Sequence, residues 1–131
     1  MEPQTCNAIV EFLADYDAVV EIGIGRRPDV AAALSARGTR VTATDVHHRD
    51  VPTGVRFVID DVTEPTRSVY ADAEAIYGLN LPPELHRPSL ARARSVGADF
   101  VFTTLGHDQP AVPVERRTVP GDTLFLATDR P

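Results

Sequence analysis

The chain contains no lysine and no tryptophan, and only one cysteine and one methionine, in 131 residues. Each shortage excludes something. Cys6 alone allows no intrachain disulfide. Set beside an apolar helical stretch with no ordered histidine partner, it reads as a small core residue rather than a nucleophile. No run approaches the roughly eighteen apolar residues of a membrane span, and Met1-Glu2-Pro3 lacks the basic and apolar regions of a secretion signal. The expectation is a cytoplasmic protein that contacts no membrane. All 13 basic residues are arginine, and 19 acids outnumber them to leave a net charge of −6. A lysine-free acidic surface fits a high-salt cytoplasm or a GC-rich genome, and it offers nucleic acid no basic face. The length allows a single domain, residues 1–131, around one core.

What is present is a regular alternation of helical and β-branched segments. Asn7 to Tyr16 places Ile9, Val10, Phe12 and Leu13 at helical spacing, with Thr5 as its cap. Asp17 to Ile22 is an apolar run of the kind buried on both faces of a parallel sheet. A helix opens near Pro28, carries Asp29 in its first turn and Val30, Ala33 and Leu34 inward, and stops at Gly38. Further strands are expected at Arg40–Asp45, Val55–Ile59, Ala73–Gly78 and Asp99–Thr104, with a helix around Ser89 to Ser95. The pattern predicts an α/β, doubly wound, mostly parallel Rossmann-like sheet of about six strands in three α/β/α layers. After Thr104, Pro110, Pro113 and Pro120 exclude a long helix. Val114 to Val119 is either a strand hairpinned through Pro120-Gly121-Asp122 or an irregular crossover.

The chemistry gathers where strands end. In Glu21-Ile22-Gly23-Ile24-Gly25-Arg26-Arg27-Pro28, two glycines let the chain turn sharply and bring bare backbone close to a ligand. Asp45 ends the next strand, and Asp60 and Asp61 end the third, so acids line one carboxyl edge. A dinucleotide fingerprint requires a third glycine where Pro28 stands, which weakens a pyrophosphate cradle. His47, His48, His86 and His107 are spread over separate loops, and no metal site is expected. His107 and Asp108 follow the fifth strand as a base and its orienter or as a solvated pair.

An acid two residues before the first glycine resembles the first motif of class I S-adenosylmethionine methyltransferases. That resemblance implies that Glu21, Gly23 and Gly25 border the amino acid end of the cofactor and that Asp45 takes the ribose hydroxyls. It further implies that Asp61 receives the adenine amine, with Val62 packed on the ring. Asn80-Leu81-Pro82-Pro83-Glu84 is similar to the Asn/Asp-Pro-Pro-aromatic motif of enzymes that methylate nitrogen. Leu81 stands directly before the prolines and Glu84 replaces the aromatic, so Asn80, Pro82 and Pro83 alone are carried over as catalytic candidates. Taken together, Glu-Ile-Gly-x-Gly, Asp-Asp-Val-Thr-x-Pro and Ile-Tyr followed by Pro-Pro-Glu-Leu resemble a small uncharacterised archaeal family of methyltransferase-like Rossmann fold. A full class I enzyme has seven strands and a long crossover helix before the sixth, so the resemblance implies a fold truncated at its carboxyl end. The expected function is an S-adenosylmethionine-binding, methyltransferase-like protein, catalytic or not. The alternatives are an NAD(H)- or nucleotide-binding regulatory module, suggested by Asp45 with Arg26 and Arg27, and a ligand-free structural subunit. The implied ligand is a small nucleoside. Exposed sheet edges point to a homodimer or to a partner protein that completes the site.

Overall fold

The structure, a computed structural model, describes residues 1–128. Helix α1 (Pro3–Leu13) leads into strand β1 (Ala18–Ile22), helix α2 (Asp29–Ala36), and strands β2 (Arg40–Asp45) and β3 (Arg56–Ile59). Helix α3 (Arg67–Tyr70), strand β4 (Ala75–Gly78), a 3₁₀ turn (Pro83–Leu85), helix α4 (His86–Val96) and strand β5 (Asp99–Phe102) follow. Strands β6 (Val114–Val119) and β7 (Asp122–Ala127) are the last elements among the described residues. The sheet has seven strands in the order β3-β2-β1-β4-β5-β7-β6. Strands β1 to β5 pair in parallel, whereas β7 runs antiparallel to both β5 and β6. The sheet is therefore complete where the sequence reading counted about six strands. Val114–Val119 is a hairpin strand rather than an irregular crossover, and the helix before it is what is missing.

The alternation of side chains along buried strands sends two sets of apolar residues to opposite faces. Val19, Val41, Ala43, Ala75 and Val101 meet Ile9, Leu13, Val30 and Leu34 of α1 and α2. Val20, Ile22, Ile76, Phe100 and Phe102 meet Tyr70, Leu90 and Ala93 of α3 and α4. Glu21 and Tyr77 are direct partners across β1 and β4, so both lie on the α1/α2 face. Asp45 follows Ala43 by two residues and shares that face.

Several boundaries moved for identifiable reasons. Proline is favoured in a first helical turn, and α1 begins at Pro3 rather than Asn7. Thr5 thus sits inside the helix instead of capping it, and its hydroxyl donates to the Pro120 carbonyl across the whole chain. β5 ends at Phe102, and the Thr103 amide makes the last bond of its parallel ladder, to the Gly78 carbonyl. α4 starts at His86, since Pro88 lies in the first turn where no amide is needed.

The β5–β6 connection, residues 103–113, is held without a helix. His86 is fully buried, with its ring 4.4 Å from that of Phe102. The Ala111 amide donates to His86 Nδ1 at 3.0 Å, which makes that nitrogen the acceptor and leaves Nε2–H to donate to the Leu81 carbonyl at 2.9 Å. One imidazole therefore fastens the post-β4 turn to the post-β5 loop. His86→Ala removes both bonds and the ring contact together. Unfolding in urea should show a loss of about 2–4 kcal/mol, and an unchanged midpoint would overturn this role.

Candidate functional site

The site is built from the glycine turn outward. Gly23 and Gly25 adopt φ of 68° and 56°, a left-handed conformation that side chains with a Cβ rarely accept. The turn they make folds back over the sheet edge. The Ile24 amide donates to the Thr44 carbonyl at 3.0 Å, the Ile24 side chain enters the α1/α2 core, and the Gly25 amide donates to Asp45 Oδ2 at 2.8 Å. Asp45 also accepts the His47 amide on Oδ1 at 3.0 Å, and Arg49 Nε lies 3.4 Å from Oδ2. Burial works against the charge on Asp45, but the two amides and the Arg49 guanidinium outweigh it and hold the carboxyl below the usual range. Oδ1 accepts a single amide and keeps a lone pair for a further donor, whereas Oδ2 faces both the Gly25 amide and Arg49.

Glu21 is a different kind of acid. It is 1% exposed, and its Oε1 accepts the Tyr77 hydroxyl at 2.6 Å. Burial pushes its carboxyl up to about 8, and the Tyr77 hydrogen bond pulls it back only in part. Burial and the neighbouring Glu21 likewise push the Tyr77 phenol up.

Two cavities meet at this edge. The inner one, about 180 Å³, is lined by Glu21, Gly23, Gly25, Arg27, Leu79 and Asn80, with the 61%-exposed Leu105 at its rim. The outer one, about 410 Å³, shares Arg27 and Asn80 and is otherwise walled by the first turn of α1 and by Gly121 and Asp122 of the β6–β7 turn. Asn80 holds φ at 49°, and its amide donates to the Thr103 hydroxyl at 2.8 Å. Another cavity of about 380 Å³ opens at the opposite edge, beside Tyr16, Asp99 and Leu126. Ligands of open α/β sheets bind at the carboxyl edge, and the glycine turn and buried acids are there.

The structure thus brings Glu21, Gly23, Gly25 and Asn80 together around one cavity, with Asp45 bonded to the turn that forms its wall. Asp61 and Val62 do not line it. Asp61 is exposed and accepts both the amide and the hydroxyl of Thr63, and Val62 is buried against α3 and α4. The preceding Asp60 is the buried acid of the pair, taking the Thr66 amide at 2.9 Å and the Tyr70 hydroxyl at 2.6 Å. Pro82 is exposed, and Pro83 opens the 3₁₀ turn. Leu81 plugs the core against Gly78, where a Cβ would stand 2.9 Å from Leu81 Cδ1. That plug is the reason an apolar residue directly precedes the prolines and the polar Asn80 falls one place earlier. His47, His48, His107 and Asp108 are exposed, and among the described residues no three His, Cys, Asp or Glu side chains come together as a metal site. No helix among the described residues is long and apolar enough to cross a membrane. Sequence reasoning took Arg27 only as a nucleotide contact beside Arg26, where the structure makes it a wall of both cavities, and it missed Tyr77 as the partner of Glu21. The parallel pairing of the first and fourth strands carried the signal for Tyr77.

An uncharacterised protein family, UPF0146, matches residues 4–130. A UPF0146 protein of Halobacterium salinarum is 54% identical over 129 residues, covering 98% of each chain. Among solved structures, an RNA methyltransferase from Salinibacter ruber in complex with S-adenosyl-L-homocysteine superposes with a TM-score of 0.66 at 18% identity, covering 97% of this chain and 91% of that one. A TehB-like S-adenosylmethionine-dependent methyltransferase from Corynebacterium glutamicum gives 0.63 at 17% identity, covering 96% and 86%. At such identities the likeness is one of fold, here the methyltransferase-like Rossmann fold.

The buried acid has a measurable signature. The Glu21 value of about 8 in the fold lies above the 4.5 of an unperturbed glutamate. The stability contributed by its protonated form is therefore complete below pH 4.5 and is lost as the pH rises to about 8. Glu21→Gln, which keeps an acceptor for Tyr77, should match the parent at the acid end and exceed it by an amount on the order of a few kcal/mol at pH 8. Denaturant titrations across this range check it, and parallel curves would show that Glu21 is ionised throughout.

Proposed function

Because the chain belongs to UPF0146, an uncharacterised family of archaea, its activity has to be read from its site, and we propose that it binds S-adenosylmethionine at the carboxyl edge of β1 and β2. The observation that carries this reading is the meeting of two acids of opposite behaviour with two left-handed glycines at one edge: Glu21 buried and holding its proton, Asp45 ionised and bonded to the turn.

The residues fit the group. Gly23 and Gly25 leave bare backbone where a cofactor chain would lie. Glu21 suits an ammonium, and the lone pair left on Asp45 Oδ1 suits a ribose hydroxyl. The structural neighbours that carry S-adenosylhomocysteine support the same choice. A pyrophosphate is less well served: Pro28 at the start of α2 has no amide to offer, and Asp29 places a negative charge in the first turn. When bound, the cofactor would supply an electrophilic methyl group. This chain's own residues would bind it, orient it and, through Asn80 on the wall between the cavities, present a second molecule to it from the outer cavity. Pro82 and Pro83 stiffen the turn that carries Asn80. Asp61 and Val62 line neither cavity.

Titration calorimetry with S-adenosylhomocysteine tests the reading. Saturable heat is expected, weakened by about 1–3 kcal/mol in Asp45→Ala, and no heat from the parent protein would overturn it. The affinity should also rise as the pH approaches about 8, because a ligand ammonium favours ionised Glu21 and must displace its proton below that value, and fall again once the ligand's own ammonium loses its proton. A pH-independent affinity would place the ammonium elsewhere.

A further inference from the structure

The inner cavity has both an acid and a base in its lining. Glu21 lies at its floor with one oxygen engaged by Tyr77. Arg27 stands on its wall beyond the glycine turn and also faces the outer cavity. The Arg27 side chain makes no hydrogen bond or ion pair with any described residue, although the chain carries 19 acids against 13 bases. In so acidic a protein, an arginine left unpaired at a cavity wall keeps its guanidinium fork for an incoming anion. A carboxylate matches that fork with two parallel bonds.

The size of the cavity limits what can enter. Pockets that enclose a whole drug-sized ligand span roughly 300–1,000 Å³, and the inner cavity is about 180 Å³. It has room for an amino acid chain and its sulfur. A nucleoside attached to that chain must lie outside, along the open edge where Val46 and Ile59 are 56% and 59% exposed. The enclosed part of the site is therefore the part that reads the amino acid.

We infer that the inner cavity is a receptor for a complete α-amino acid group, with the ammonium toward Glu21 and the carboxylate toward Arg27, and that Arg27 determines specificity for nucleosides bearing that group. The inference rests on the cofactor reading above and goes beyond it by assigning Arg27 and by predicting which nucleosides are refused. A nucleoside thioether without the amino acid keeps its contacts to Asp45 and the open edge and forfeits both charged contacts.

Calorimetry with two probes tests this: S-adenosylhomocysteine, and 5′-methylthioadenosine, which has the same adenosine and sulfur without the amino acid. The parent protein should prefer S-adenosylhomocysteine. Arg27→Gln should weaken S-adenosylhomocysteine by about tenfold while leaving methylthioadenosine unchanged, and Arg27→Lys should restore part of the loss. Arg27 is exposed, so the variants keep the fold, which circular dichroism verifies. The inference is overturned if Arg27→Gln binds S-adenosylhomocysteine as tightly as the parent, if it loses both probes equally, or if the parent binds both equally. In that last case the cofactor reading survives. If the parent binds neither probe, the cofactor reading has failed and the assignment of Arg27 fails with it.

Discussion

The hydrogen bond from the Gly25 amide to Asp45 is the contact on which the site depends. It joins the turn after β1 to the end of β2 at 2.8 Å, and the neighbouring Ile24 amide makes a parallel tie to Thr44. Together they fix the direction in which the chain leaves β1. With that direction set, Ile24 drops into the core, Arg27 reaches the cavity wall, and α2 begins where its apolar stripe can cover Val41 and Ala43. Neither amide would point correctly without the left-handed geometry at Gly23 and Gly25.

Four acids at one sheet edge show how far environment outweighs residue type. Glu21 is enclosed and keeps its proton, Asp45 is enclosed but surrounded by donors and keeps its charge, Asp60 anchors the start of α3, and Asp61 folds onto its own turn in solvent. Counted in the sequence, they are equivalent strand-end carboxylates. What separates them is the number of amides and hydroxyls within reach, a property of the assembled edge.

The legible part of the fold was the part coded locally. The β-branched run of β1, the glycine turn and the acid closing β2 each announce themselves within a few residues, and the structure keeps them at the expected places. The part that was not legible depends on partners distant in the chain. Thr5 looks like a cap until Pro120 claims its hydroxyl. Leu81 looks like a flaw in a motif until Gly78 and the α3/α4 core give it a cavity to fill. His86 looks like one of four scattered histidines until Leu81 and Ala111 close on its two nitrogens. The strand count stayed at about six for a related reason: three of the six residues of β6 are charged, and its pairing with β7 is what marks it as part of the sheet.

The bond between Thr5 and Pro120 spans 115 residues, and it bears on the order in which the molecule assembles. α1 is synthesised first, yet Phe12 lies under Arg117 of β6 and Thr5 waits for the carbonyl beside Gly121. During synthesis the amino-terminal helix has α2 to pack against but lacks its last contacts until the final hairpin emerges. Contacts of such long sequence separation slow folding, because the intervening chain must be organised before they form. The last hairpin thus acts as a clasp: it closes the outer cavity and completes the seating of the first helix in one event, so an intermediate truncated before β6 has neither.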